Sequence, residues 1–164
     1  MKSTELSGTR IAIWNAMLDA DMNARYWAEM VRHYASKDKR MRIFLAVTSS
    51  ATVASWAIAI DMRIIWQVLS SLAALVAVAL PILDWPKQRE KMAELSGEWL
   101  QLQFDYERLW RQSKDNDSEV IENELSAHRA REVKLQENTA QLPLDHKLID
   151  RCYEAVVESR GLTG

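Results

Sequence analysis

A chain of 164 residues is long enough for one domain, or for one membrane module with a soluble extension. Its 21 Lys and Arg against 23 Asp and Glu give a net charge of −2, which argues against a nucleic-acid partner, because phosphate binding needs a basic excess on some face. Cys152 is the one cysteine, so an intrachain disulfide and a thiolate metal centre are both excluded.

The mean hydropathy of −0.25 is that of a water-soluble protein, but the average conceals a segregation. Residues 43–83 carry only Asp61 and Arg63 as charges, whereas the flanking segments are densely charged. Four glycines and three prolines in the whole chain favour helix nearly throughout. The N-terminal residues are polar and lack the basic-then-apolar order of a secretory signal peptide.

In chain order, Ile13, Met17, Ala20, Ala24, Trp27, Val31 and Tyr34 recur at alternating spacings of four and three, the mark of a helix with an apolar seam. Lys37, Lys39, Arg40 and Arg42 follow. The first uncharged run, 43–60, has 18 residues and the second, 64–83, has 20. As helices they would span about 27 and 30 Å, which matches a hydrocarbon core. A three-residue connection of Asp61, Met62 and Arg63 makes them a tight hairpin. With Lys87, Arg89 and Lys91 after the second run and only Arg63 in the turn, the positive-inside rule places both termini in the cytoplasm. A hairpin buried in a soluble bundle is the competing reading, and it lacks the polar face that such helices carry.

Within the first run, Thr48, Thr52 and Ser55 share one helical face. That face either packs the hairpin or, in an oligomer, lines a water-filled path. Asp84, ahead of Trp85 and Pro86, is a candidate cap for the next helix. There Met92, Leu95, Trp99, Leu102, Tyr106 and Leu109 repeat the seven-residue pattern. The two patterned helices run in opposite directions about the hairpin. They are expected to pair as an antiparallel stalk whose seam includes Ile13, Met17, Trp27 and Tyr34 opposite Leu95, Trp99, Leu102 and Tyr106. Residues 114–118 (KDNDS) break the pattern, and a helix is expected from about Ser118 to Thr139 with a thin apolar face of Val120, Ile121, Leu125 and Val133. A last helix, from about Pro143 to Ser159, carries Leu144, Leu148, Cys152 and Val156 at i, i+4 spacing, with Gly161 as its cap. These two helices either fold back on the stalk or meet a neighbouring subunit.

The sequence thus predicts an all-α integral membrane protein with two parts. Residues 1–113 form a two-span module with a cytoplasmic stalk, and residues 114–164 form two cytoplasmic helices. His33, His128 and His146 have no metal-ligand spacing, and no phosphate loop or nucleophile turn occurs. Asp145 beside His146 reads as a helix cap rather than an acid–base pair, because adjacent helical side chains diverge by about 100°. Cys152 reads as a small apolar filler. No enzymatic activity, cofactor or metal is expected.

Residues 26–42 (YWAEMVRHYASKDKRMR), the hairpin, and residues 83–110 (LDWPKQREKMAELSGEWLQLQFDYERLW) together resemble the SLATT family of two-transmembrane effectors. The resemblance covers about residues 11–110 and is one of architecture more than of motif. It implies a homo-oligomer in the bacterial inner membrane that forms or gates a pore in anti-phage conflict. A nucleotide second messenger or a sensor protein would serve as the trigger, although this chain carries no recognisable nucleotide-sensing domain. The alternative is a non-conducting anchor whose cytoplasmic helices recruit another protein.

Overall fold

The computed structural model describes residues 2–48, 63–114, 117–140 and 142–161; within its helices the side chains of 2–7, 48, 63–66, 70 and 80–83 lie outside the description. Every described secondary-structure element is an α-helix: α1 Lys2–Thr48, α2 Arg63–Leu83, α3 Trp85–Gln112, α4 Ser118–Thr139 and α5 His146–Ser159. The first apolar run therefore enters the description only as the end of α1, and its residues 49–60 lie outside it, as do Asp61 and Met62. The second run is α2.

The prolines explain where helices start and stop. All three, Pro81, Pro86 and Pro143, lie beyond α1, which runs without a break for 47 residues. Pro81 sits within the last turn of α2, and Pro86 in the first turn of α3, where its missing N–H costs no hydrogen bond. Between the two helices stands Asp84 alone, with a φ of 42°. Aspartate tolerates this left-handed conformation better than most side chains do. Its backbone carbonyl accepts the Gln88 N–H at 3.1 Å and so opens α3.

At the start of α4 Asp117 is extended and makes no side-chain cap bond; its carbonyl accepts from Ile121 at 3.3 Å. Asp145 caps α5 through its carboxylate, which accepts the Leu148 N–H at 3.2 Å. Gly161, with a φ of 65°, ends α5 in the left-handed region that glycine adopts without a Cβ penalty.

The chain divides into two units, residues 1–30 with 91–164, and residues 31–90. In the first, α1 and α3 run antiparallel. Ser96 Oγ donates to the Ala24 carbonyl at 3.0 Å, and further along the Trp14 and Trp110 rings meet at 5.5 Å. Helices α4 and α5 fold back on this pair. Arg131 of α4 reaches Asp105 of α3 at 3.0 Å, and the Tyr26 hydroxyl of α1 accepts the Asp145 N–H at 2.9 Å.

The core of this unit consists of one stripe from each helix: Ile13, Met17, Ala20, Ala24 and Trp27; Met92, Leu95, Trp99, Leu102, Tyr106 and Leu109; Ile121, Leu125 and Leu135; and Leu148, Cys152 and Val156. Each large side chain so buried is worth roughly 1.5–3 kcal/mol, which far exceeds any exposed ion pair on the same helices. Two elements of the sequence reading are corrected here. Val120 and Val133 of α4 are exposed while Leu135 is buried, and Leu144 stands exposed ahead of α5. The reason is periodicity: Ile121, Leu125 and Leu135 share a seam with His128 and Glu132, whereas Val120 and Val133 point away from it.

Candidate functional site

Of the residues expected to form the seam, Ile13, Met17, Trp27, Leu95, Trp99, Leu102 and Tyr106 are all buried in the first unit, none more than 4 % exposed. Tyr34 belongs to the second unit and is half-buried. Its ring meets that of His33 at 6.3 Å and carries the Lys37 ammonium at 5.2 Å. Trp27 and Trp99 bring two indole N–H groups into the core with no hydrogen-bond partner. Each such buried, unpaired donor costs about 1–3 kcal/mol, which the burial of the ring has to exceed.

The seam also contains polar groups that apolar periodicity cannot reveal. The Tyr106 hydroxyl donates to Glu132 Oε2 at 3.0 Å, and its ring meets His128 edge-on at 5.5 Å. Burial first, and then the neighbouring Glu132 carboxylate, hold this hydroxyl far above the ordinary tyrosine range, so it stays protonated and serves as a donor. Near one end of the α1–α5 contact, Asp21 is 5 % exposed and accepts from Arg25 Nε at 2.7 Å and from Arg160 Nη2 at 3.1 Å. A buried carboxylate needs such partners, and here one of them comes from 139 residues away. Cys152 is buried in the same unit, and that burial raises its thiol pKa, which suits packing and disfavours nucleophilic chemistry.

In the second unit a single carboxylate gathers the basic flanks. Asp38 is 9 % exposed and accepts from Arg42 Nε at 3.0 and 3.1 Å, while Arg89 Nη1 lies 3.8 Å away. Residues from both sides of the apolar block are thereby drawn to one anion. Lys39, Arg40 and Lys87 remain exposed. Beyond Arg40, Ile43 and Val47 continue the same face of α1 and are 52 % and 54 % exposed.

Helix α2 has no buried side chain among those described. Val68, Leu72, Leu75 and Val78 are each at least half exposed. Among the described residues, no helix is long and apolar enough to cross a membrane.

The three hydroxyls expected to face a water path lie outside what the structure describes. Thr48 is the last residue of α1, with its side chain outside the description, and Thr52 and Ser55 lie outside the described residues altogether. Among the described residues no group of three or more potential metal ligands occurs. No protein-family model, no curated protein and no solved structure matches the chain.

Proposed function

We propose that the chain is a membrane effector whose two apolar runs form a transmembrane hairpin and whose copies assemble into a pore that depolarises the bacterial inner membrane, as an arm of anti-phage defence. The observation that carries the membrane step is the exposure of α2. A helix with no charge after Arg63 leaves Val68, Leu72, Leu75 and Val78 uncovered. In water each forgoes roughly 1–2 kcal/mol of further burial, whereas hydrocarbon covers them at no such cost. The lengths of the runs, 18 and 20 uncharged residues, fit the same reading, as does the basic residue content on one side of the hairpin.

The conducting step rests on the hydroxyl face of Thr48, Thr52 and Ser55 and on the resemblance to SLATT effectors. Hydroxyls offer donors and acceptors to water, yet cost little enough in lipid to leave each helix insertable. On this reading the buried seam of the cytoplasmic helices is the part on which a trigger acts, by favouring one of two assemblies through differential contacts.

The test is inducible expression in a bacterium loaded with a membrane-potential dye, with conductance of the purified protein measured in planar bilayers. Wild type should depolarise, Thr52→Leu should insert and oligomerise without depolarising, and Ala59→Leu should behave as wild type. A triggered wild-type protein that inserts but never changes conductance leaves the anchor reading in its place. Recovery of the protein without membrane association would overturn both.

A further inference from the structure

Helix α3 carries a second stripe on the side opposite its buried one. Ala93, Gly97, Leu100 and Phe104 follow at spacings of four, three and four, the seven-residue pattern again, and all four are exposed. Single exposed apolar side chains are ordinary on a protein surface. Ile11, Val120, Val133, Leu144 and Tyr153 of the first unit are of that kind. Leu100 and Phe104, 44 % and 52 % exposed, instead lie one helical turn apart and form a ridge.

Two further observations bear on what covers this ridge. Gly97 stands in the interior of a helix, where glycine is disfavoured against alanine, yet a Cβ added there would meet no atom within 4 Å. The packing described within the chain therefore does not call for a glycine, whereas the close approach of a second backbone does. The charges are also matched to a copy of the same face. Between Gly97 and Phe104 the flanking residues Ser96, Gln101 and Gln103 are uncharged. Beyond them Arg111 donates to Glu107 at 3.1 Å, and Arg108 lies 3.5 Å from Asp105. A face neutralised from within does not select a strongly charged partner, and it does not repel itself.

We propose that the ridge is a contact between copies of this chain, with α3 of one copy packed in parallel on α3 of a second. Leu100 then meets Leu100 and Phe104 meets Phe104 about a two-fold axis. The parallel direction rests on the membrane reading above: hairpins that cross one bilayer the same way hold equivalent residues of the two copies at equal depth. The contact is small. Two half-exposed side chains per copy fall well short of the roughly 1,200 Å² that stable interfaces bury. Confinement to one membrane supplies what area does not, because it raises the effective concentration of the copies as a tether does. The chain is thus built to pair in the membrane and to separate in dilute solution.

The experiment is disulfide crosslinking of the full chain in bacterial membranes with copper-phenanthroline, the buried Cys152 left in place and wild type as the blank. Leu100→Cys and Phe104→Cys should each give a product of twice the chain mass, at least tenfold above that from Val120→Cys or Tyr153→Cys, exposed on α4 and α5. Adding Phe104→Glu to the Leu100→Cys chain should cut the yield at least tenfold, since it sets two carboxylates against each other in the contact. Position 104 is exposed, so the helical circular-dichroism signal should not change. Yields at Leu100→Cys no higher than at Tyr153→Cys, from protein in the membrane fraction, overturn the pairing and leave the hairpin standing. A product of another mass shows a different partner and overturns it too. So does crosslinking only when Leu100→Cys and Phe104→Cys chains are mixed, which is the mark of an antiparallel pair. Protein found only in the soluble fraction overturns the hairpin, and the parallel pairing with it.

Discussion

Replacing Trp99 by alanine and, in parallel, by phenylalanine separates two contributions that the seam combines in one side chain. Trp99 is 1 % exposed, packed in the stripe between Leu95 and Leu102, and its Nε1–H has no acceptor. Alanine removes the whole ring and leaves a cavity that the rigid helical surroundings only partly fill, a loss of about 3–5 kcal/mol. Phenylalanine keeps most of the apolar contact. It gives up a smaller area, worth roughly 1 kcal/mol, while removing an unpaired buried donor that costs about 1–3 kcal/mol. The two effects offset, so Trp99→Phe should lie within about 1 kcal/mol of wild type. The assay is denaturant unfolding in detergent, followed by the helical circular-dichroism signal and compared at equal slope. A Trp99→Phe loss as large as that of Trp99→Ala would mean that the indole N–H is satisfied and the ring irreplaceable. A Trp99→Ala loss below about 1 kcal/mol would mean that the stripe is not the core.

Two further outcomes follow from the same unit. The Tyr106 hydroxyl is raised above its ordinary value of 10.0 by burial and by Glu132, so its stabilisation is complete below about pH 10 and declines as pH rises beyond that, where the unfolded chain deprotonates first. Unfolding curves at pH 9 and 11 should show this slope in wild type and less of it in Tyr106→Phe; parallel curves would refute the burial of the hydroxyl. Cys152, 5 % exposed with its thiol pKa raised by burial, should react slowly with N-ethylmaleimide in the folded protein. It should react at the unfolded rate across the denaturant transition, and fast labelling of the native chain would show that α5 does not stay docked.

The seven-residue spacing in α1 and α3 was legible because apolar side chains at a and d positions have no other stable placement in water. Legible for a different reason were the breaks at 114–118 and Gly161, whose residue types serve special backbone positions. What the spacing could not show is how α4 docks. Two of its inward positions are His128 and Glu132, polar residues that become seam members only because Tyr106 lies opposite. Nor does anything local in Asp21 indicate that Arg160 completes its coordination.

The Tyr106–His128–Glu132 cluster also fixes alignment. A wholly apolar seam would allow α4 to slide along α3 with little loss, because leucines and isoleucines accept one another at many offsets. A slip of one helical turn in either direction would set the Glu132 carboxylate against Leu102 or Leu109 in place of the Tyr106 hydroxyl. The Tyr106 hydroxyl, on a fully buried ring, would then be left without its acceptor, at a cost of about 1–3 kcal/mol. The polar trio therefore acts as a key, admitting one offset between the two helices and rejecting its neighbours.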